Sequence, residues 1–275
     1  MPELHPFVTR RWKNHNHGQF EENEWFISEN QNSFVFAPNR DIKSIFLGSF
    51  PTTHVSIDEP IGLYPEFFYG SPQNNFWTIL GHLSNLPSAT FQNRIDILRR
   101  LKIGIADILL EVERNGIYNN DNNLHQIRYN NILDLLLTFP NLENIFMTSG
   151  GRAPIYNLNN NNPSVATWLR HSLVNHNFTG FNQNGYLKAI TNNDVTFNLI
   201  SLASPSKNAD RSFTRSINNI NRETQLNLTV NDYRKLSWSL WLKKLHFTDN
   251  DTPQPIQHWS GIAAGNNYIQ NHFEN

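Results

Sequence analysis

The sequence predicts an α/β fold: a three-layer α/β/α sandwich around a central, mostly parallel four-stranded sheet. Three observations predict it. Short apolar runs typical of buried strands alternate along the chain with segments of helical spacing. Each apolar run ends in a loop marked by Gly, Ser, Pro or Asp. The chain also has 275 residues, enough to bury a sizeable core in one large domain or two small ones.

The elements follow in order. Residues 1–33 are polar and aromatic without a clear period, so we expect an arm or cap there, followed by a main domain over residues 34–246. The predicted strands are residues 42–47, 104–110, 144–148 and 195–200, of which residues 104–110 could instead form a strand–helix junction. The predicted helices are residues 75–83, 94–101, 129–139, 152–158 and 230–245. Residues 247–275 show few periodic signals, and we expect a tail or lid.

The loop over residues 51–72 contains several prolines and exceeds the usual length of a connection. Loops of this length are usually functional or disordered. Ligands of parallel α/β sheets bind outside the carboxyl ends of the strands. The loops after the four predicted strands should therefore line one rim that holds the functional site.

Composition excludes several kinds of site. The chain has no cysteine, which excludes a disulfide scaffold, a thiolate zinc site, a cysteine-held iron–sulfur cluster and a cysteine nucleophile. His15, His17 and the other histidines lack metal-ligand spacing, so we expect no metal and no cofactor. Phosphate-loop and Gly-x-Ser-x-Gly signatures are missing as well. A polar amino terminus and the lack of an 18-residue apolar run predict a cytoplasmic protein without membrane contact.

The formal net charge of −1 hides a basic segment. Residues 207–244 contain eight Lys or Arg against three acidic residues, a local excess of five positive charges. Such a segment can bind a phosphate backbone, for which Lys207 and Arg234 are the first candidates. It can equally be a solvated helix face.

Two motifs stand at the predicted rim. Residues 48–51 (GSFP) follow the first strand, and residues 69–77 (YGSPQNNFW) lead into the first helix. Together they resemble the uracil-DNA glycosylase superfamily, most of all the branch of hypoxanthine- and mismatch-type glycosylases. In that branch a Gly-x-x-Pro loop ends the first strand and a Pro-x-Asn-x-Phe-Trp stretch opens the next helix.

The resemblance continues in register over roughly residues 34–245. Its further motifs are residues 104–107 (GIAD) with Arg114 beyond them, 146–153 (FMTSGGRA), 202–206 (LASPS) and 232–235 (DYRK). The shared order of these motifs is far more specific than any one of them. The resemblance implies a metal-free, monofunctional glycosylase, expected to be a monomer, that acts on a base flipped out of DNA.

The resemblance also implies roles for individual residues. Asn74 would hold the attacking water or the sugar, and Asp107 would read a base edge. The other base-binding candidates are Gly48, Ser49, Phe50, Phe68 and Tyr69, where the amides of Ser49 and Phe50 would receive charge from the leaving base. The phosphate-binding candidates are Gly150, Gly151, Arg152, Ser204, Ser206 and Lys207. Helix capping is the alternative for Asn74 and Asp107, and core packing is the alternative for the aromatic residues.

Three departures leave the excised base open. The GSFP loop lacks the Asp or Asn that many members use to orient water, the SPS motif lacks a histidine, and the loop 51–72 is long. Glu111 or the pair Asp58 and Glu59 could supply the missing general base that activates the water. The predicted substrate is uracil, hypoxanthine or a similar deaminated base in DNA repair. The alternatives are a bulkier base of bacteriophage DNA, in an anti-phage role, and a catalytically silent DNA-binding module.

Overall fold

The computed structural model describes residues 3–5, 25–27, 34–38, 40–51, 67–114, 124–130, 139–148, 186–190, 196–248 and 250–274. Several predicted features lie outside these residues. They are the loop carrying Asp58 and Glu59, the histidines His15 and His17, the helix at 152–158, most of the helix at 129–139, and the candidates Gly150, Gly151 and Arg152.

Ten strands and six α-helices build the described part of the chain. The strands are β1 (Glu3–Leu4), β2 (Trp25–Ile27), β3 (Phe34–Phe36), β4 (Ser44–Gly48), β5 (Ile103–Asp107), β6 (Leu109–Arg114), β7 (Leu124–Tyr129), β8 (Asn144–Met147), β9 (Tyr186–Ile190) and β10 (Thr196–Ser201). The helices are α1 (Phe76–Ser84), α2 (Phe91–Leu101), α3 (Asp210–Thr224), α4 (Val230–Leu245), α5 (Gln254–Ala264) and α6 (Asn267–Glu274). A 3₁₀ turn, Lys207–Ala209, precedes α3.

The central sheet has the order β2-β3-β5-β4-β8-β10-β9. Its middle four strands, β5, β4, β8 and β10, run parallel, which confirms the four predicted strands and the α/β class. Antiparallel strands extend the sheet on both sides, with β3 and β2 beyond β5 and β9 beyond β10. The sheet is therefore larger than the four strands that were predicted.

The predicted strand over residues 104–110 is in fact two strands. β5 ends at Asp107, and β6 begins at Leu109 in a separate three-stranded sheet of order β1-β6-β7. Ile108 makes the transition, and its amide donates to the carbonyl of Gly48 at 2.9 Å. The apolar run is continuous across this break, so its pattern does not reveal the change of sheet.

Apolar side chains alternate between the two faces of β4 and pack into a core on each side. On one face Phe46 lies 5.2 Å, between ring centroids, from both Phe76 of α1 and Trp238 of α4. On the other face Ile45 and Leu47 belong to a second buried cluster. Strands covered on both faces are expected for a parallel sheet.

The carboxyl-terminal segment, which we expected to be a tail or lid, contains α5 and α6. Ile256, Ala263 and Ile269 from these helices are buried in the same core as α1 and α4. The helices span only 11 and 8 residues, and Ile256, Ala263 and Ile269 are their only buried apolar side chains, which explains their weak periodic signal in the sequence. Among the described helices, none combines the length and apolar character that a bilayer crossing requires.

Candidate functional site

Gly48 and Asp107 lie side by side at the carboxyl ends of β4 and β5. A Cβ atom on residue 48 would stand 2.2 Å from Asp107 Oδ1 and 2.6 Å from the Tyr69 hydroxyl oxygen. Real Cβ atoms do not come so close to a polar atom, so the carboxylate and the phenol occupy space that only glycine leaves open. Three sequence candidates are thus brought together at the predicted rim.

Tyr69 is fixed with its ring half-buried beside this cluster. Its backbone has a left-handed φ of 54°, and its ring stacks on Phe76 with centroids 4.0 Å apart. Its hydroxyl is 2.8 Å from Thr148 Oγ1, which itself donates to the carbonyl of Leu47 at 3.2 Å. Because the Thr148 hydroxyl hydrogen is used in this bond to Leu47, the Tyr69 hydroxyl must donate to Thr148 Oγ1.

Asp107 is buried, and its two carboxylate oxygens have different surroundings. Oδ2 accepts a hydrogen bond from His5 Nε2 at 3.0 Å. No residue that the structure describes donates to Oδ1. The capping alternative for Asp107 is wrong, because a strand rather than a helix follows it.

His5 was not identified as a site residue. It is fully buried, and this burial lowers its pKa more than Asp107 raises it, so the imidazole is neutral near pH 7. Its ring centroid lies 4.2 Å from that of Phe34, 5.3 Å from that of Phe50 and 5.8 Å from that of Phe68. No local pattern could have revealed it, because its partner is 102 residues away.

Phe50 and Phe68 are both packed in the interior. Phe68 contacts Phe34 and Phe67, as the core-packing alternative expects. Phe50 lies beneath the guanidinium of Arg114, which also donates to the carbonyl of Pro51. Arg114 thereby holds the GSFP loop in place from β6.

Ser49 and Glu111 complete the surroundings of this loop. Ser49 is half-buried, and its carbonyl accepts from the amide of Leu109 at 3.1 Å. The carboxylate of Glu111 forms an ion pair with Arg128 at 3.3 Å within the small sheet. Glu111 is thus already engaged in the small sheet, which does not favour it as the general base.

The two ends of the Asn74 side-chain amide have different surroundings. Its Oδ1 accepts from the amide of Phe76 at 2.9 Å, so the capping alternative is realised at the start of α1. Its Nδ2 has no hydrogen-bond partner within the described part of the chain. A backbone bridge to Ser206 joins this loop to the end of β10, where the amide of Lys207 donates to the carbonyl of Gln73 at 2.8 Å.

The loop at residues 204–206 is held from below by Arg234. The guanidinium is fully buried and donates to the carbonyls of Ser204 and Ser206, each at 2.7 Å. It also pairs with Asp210 at 2.6 Å. The expectation that Arg234 faces phosphates is therefore wrong, because its guanidinium N–H groups bond to Ser204, Ser206 and Asp210 of the protein itself.

Neither serine hydroxyl of this loop donates its hydrogen to a residue that the structure describes. Ser204 Oγ accepts from the amide of Ser206 at 3.4 Å, and Ser206 Oγ accepts from the amide of Asn208 at 3.3 Å. Both serines are half-buried. Hydroxyls oriented in this way can donate to an anion in front of the loop.

A stripe of cations continues from this loop onto α3. Lys207, Arg211 and Arg215 are four residues apart, which places them on roughly one side of a helical segment. All three are exposed and form no ion pair with any residue that the structure describes. We call these three residues the basic stripe. Over the described ranges, no cluster of three or more His, Asp or Glu side chains could hold a metal ion.

Comparisons with known proteins bear on this arrangement. No family model matches the chain. A hypoxanthine DNA glycosylase from Methanosarcina barkeri is 31% identical over 116 residues, which cover 40% of this chain and 68% of that protein. A second hypoxanthine DNA glycosylase, from Methanosarcina acetivorans, is 31% identical over 74 residues, which cover 26% of this chain and 42% of that protein.

One solved structure is also similar. It is the solution NMR structure of a candidate uracil DNA glycosylase from Methanosarcina acetivorans, 20% identical, with a TM-score of 0.40 over 63% of this chain and 83% of that one. At this TM-score the likeness carries no argument of its own. The match to the Methanosarcina barkeri protein does, because it spans more than two thirds of that relative. The chain therefore belongs to the family of the hypoxanthine DNA glycosylases.

Proposed function

We propose that this protein is a monofunctional DNA glycosylase that hydrolyses the N-glycosidic bond of a flipped, deaminated base, with hypoxanthine and uracil as the first candidates. One observation carries the proposal: Asp107 is anchored through Oδ2 while Oδ1 has no donor among the described residues, beside a glycine that leaves room for it. Two relatives named as hypoxanthine DNA glycosylases point to the same reaction.

An ionised carboxylate only accepts hydrogen bonds, so Asp107 selects a base that donates. Deamination creates such a donor: cytosine and adenine present an unprotonated ring nitrogen on the Watson–Crick edge, whereas uracil and hypoxanthine present a ring N–H. Asp107 Oδ1 would accept from this N–H. The half-buried ring of Tyr69, backed by Phe76, would stack on the base.

Bond cleavage passes through an oxocarbenium-like sugar attacked by water. The Nδ2 of Asn74, which has no partner among the described residues, would hold the water or the sugar at the rim, while its Oδ1 stays bound to α1. The amides of Ser49 and Phe50 would stabilise negative charge on the departing base. Residues 48–51, 69–77 and 104–107 contain no lysine, so these motifs supply no amine nucleophile and favour hydrolysis without strand cleavage.

The DNA backbone would follow the loop at residues 204–206. The hydroxyls of Ser204 and Ser206 donate to phosphate oxygens, and the basic stripe extends the contact along α3. Gly150, Gly151 and Arg152, which lie outside the described residues, stay candidates for phosphate contact because they follow β8 in the sequence. Such contacts position the duplex without reading its sequence.

A base-release assay tests the proposal. Single-turnover reactions should use matched single and double strands that contain uracil, hypoxanthine or a glucosylated hydroxymethylcytosine, with Asp107→Ala as the control variant. We expect an abasic site from a deaminated base, no strand break, and little release by the control. Release of the bulky base alone would favour the phage-DNA alternative. Binding to every duplex without release from any would contradict the proposal and favour a silent DNA-binding module.

A further inference from the structure

The amino-terminal strand reaches the aspartate that we assign to base reading. His5 Nε2 lies 3.0 Å from Asp107 Oδ2, and both side chains are buried. His5 belongs to the segment over residues 1–33 that we expected as an arm or cap. At this point the arm supplies a hydrogen bond to the centre of the site.

His5 is held in place by its own backbone and by its neighbours. β1 pairs with β6, and the amide of His5 donates to the carbonyl of Leu110 at 2.8 Å. Glu3 forms an ion pair with Arg114 at 2.9 Å, and Arg114 also donates to the GSFP loop. The segment is thus tied both to the strand after Asp107 and to the loop after Gly48.

The imidazole determines which way the carboxylate faces. The terminal torsion of an aspartate can take a wide range of angles, so a donor in a fixed position selects the orientation of the carboxylate. Only Nε2 of the neutral ring faces Oδ2, so Nε2 carries the hydrogen and donates. Oδ1 then remains on the side of Gly48 and Tyr69, where it can accept from a base.

We propose that His5 is a positioning residue for base reading: it holds Asp107 Oδ2 so that Oδ1 is presented to the flipped base, and the strand Glu3–Leu4 is a working part of the site. This inference rests on the proposed function, because it concerns the orientation of a base-reading carboxylate. It adds to that function a residue outside the segment of resemblance, which begins near residue 34.

Two substitutions separate the hydrogen bond from packing. His5→Phe keeps a ring beside Phe34 but removes the donor. His5→Gln places an amide N–H near the former Nε2. We expect His5→Phe to lower the single-turnover rate at least 10-fold with DNA affinity within 3-fold, and His5→Gln to recover most of that rate.

A double-mutant cycle tests whether His5 acts through Asp107. In an Asp107→Ala background there is no carboxylate to position, so His5→Phe should have no further effect on the residual rate. Equal fold losses in both backgrounds would overturn the proposal, since they would indicate a general structural role. Melting temperatures of all variants should be recorded, and a rate loss that follows the melting temperature across them would overturn it too.

Long-range ¹H–¹⁵N NMR of the His5 ring gives a readout that does not need activity. We expect a neutral ring protonated on Nε2 at pH 7, with a proton resonance that moves upfield in Asp107→Ala. A charged ring, the Nδ1–H tautomer or an unchanged resonance would overturn the inference about His5. If instead the wild type releases no base while the NMR result holds, the proposed function fails and the His5–Asp107 geometry stands.

Discussion

The guanidinium of Arg234 donates to the main-chain carbonyl of Ser206 at 2.7 Å from a fully buried position. A residue that the basic segment marks as a phosphate contact is thus the support of the loop that would make the contact. Lys207, the next residue after Ser206, points its charge to solvent. The two cations should therefore respond differently to substitution.

Arg234→Met should destabilise the fold rather than weaken phosphate binding directly. It leaves the carbonyls of two half-buried serines without their donor, and losses of about 2–4 kcal/mol in the free energy of unfolding are typical of such changes. Urea unfolding measures this loss. The slope of log affinity against log salt, measured below the unfolding midpoint, should stay as in the wild type. A stable variant with a reduced slope would contradict this assignment.

Substitution of the basic stripe should change the salt dependence of DNA binding. Lys207→Ala and Arg211→Ala should each lower the slope by roughly one unit and weaken all sequences alike, because each removes a phosphate contact. Arg222→Ala is the matched control on α3, the helix that carries Arg211, since Arg222 is paired with Glu223 at 3.1 Å. Unchanged slopes for both stripe variants would show that the basic stripe is only a solvated helix face and makes no phosphate contact.

Asn74 should contribute to the transition state through its Nδ2 group, which no described residue engages. Asn74→Asp keeps an oxygen to accept from the amide of Phe76 but removes the Nδ2 donor. Its single-turnover rate should fall about 100-fold, equivalent to roughly 2.7 kcal/mol. DNA affinity should be compared at high salt, where the added negative charge is screened.

Asn74→Ala should lose the same activity and also about 1 kcal/mol of stability, because it removes the cap as well. Circular dichroism and thermal melting separate the two losses. Full cleavage by Asn74→Ala on the best substrate would mean that another group places the water.

Gly48→Ala should disable base release by displacing the carboxylate of Asp107. The new Cβ would meet Oδ1 at 2.2 Å, so the side chain must turn away. Gly261→Ala in α5 is the control, because a Cβ there meets nothing within 4 Å. The control should keep full activity and equal or greater stability, since alanine favours helix. Base release by Gly48→Ala at the wild-type rate would contradict the place of Asp107 in the site.

Stability should fall in mild acid because of His246. Burial lowers the pKa of this histidine to about 4, and its ring is hydrogen-bonded to Ser44 Oγ and to the carbonyl of Leu101. The histidine of the unfolded chain takes up a proton near pH 6.5, whereas the folded protein does so only near pH 4. The contribution of neutral His246 to the free energy of unfolding is therefore fully present above pH 6.5. It should decrease by about 1.4 kcal/mol per unit below it, and level off near pH 4 after a loss of roughly 3 kcal/mol.

Urea unfolding at pH 7, 6, 5 and 4 checks this dependence. Other groups also titrate, and His5 acts in the same direction because burial lowers its pKa too. The decisive quantity is therefore the difference in slope between the wild type and His246→Gln, which keeps a donor for Leu101. Identical slopes between pH 6.5 and 4 would show that His246 does not titrate in this way.

The parallel centre of the sheet was predictable because its strands are apolar runs closed by loop residues, as in Ser44–Gly48. The edges were not, since β2 and β3 are three residues each within a polar, aromatic stretch. α3 was missed as a helix because only Ile217 and Ile220 of its residues are buried. Short or polar elements gain their order from tertiary contacts, which leave little periodic signal.

The candidate site likewise contains residues that the sequence could predict and residues that it could not. Gly48, Tyr69 and Asp107 lie in motifs with local signatures, and the structure brings them together. Asn74 lies in such a motif as well, and there the structure adds the capping contact. The roles of His5 and Arg234 depend on pairings across 102 and 28 residues. Single-sequence patterns carry no information on pairings of that kind.

The change of sheet at Ile108 has a thermodynamic consequence. The amide of Ile108 is bonded to Gly48, its carbonyl accepts from the amide of Asn130, and the carbonyl of Asp107 accepts from Asn130 Nδ2. The backbone that carries the carboxylate is thereby immobilised before any DNA arrives. A preorganised group needs no reorganisation during the reaction, so little of the binding free energy is spent on ordering it. The cost of recognition then falls on the duplex, which must unstack and extrude its base.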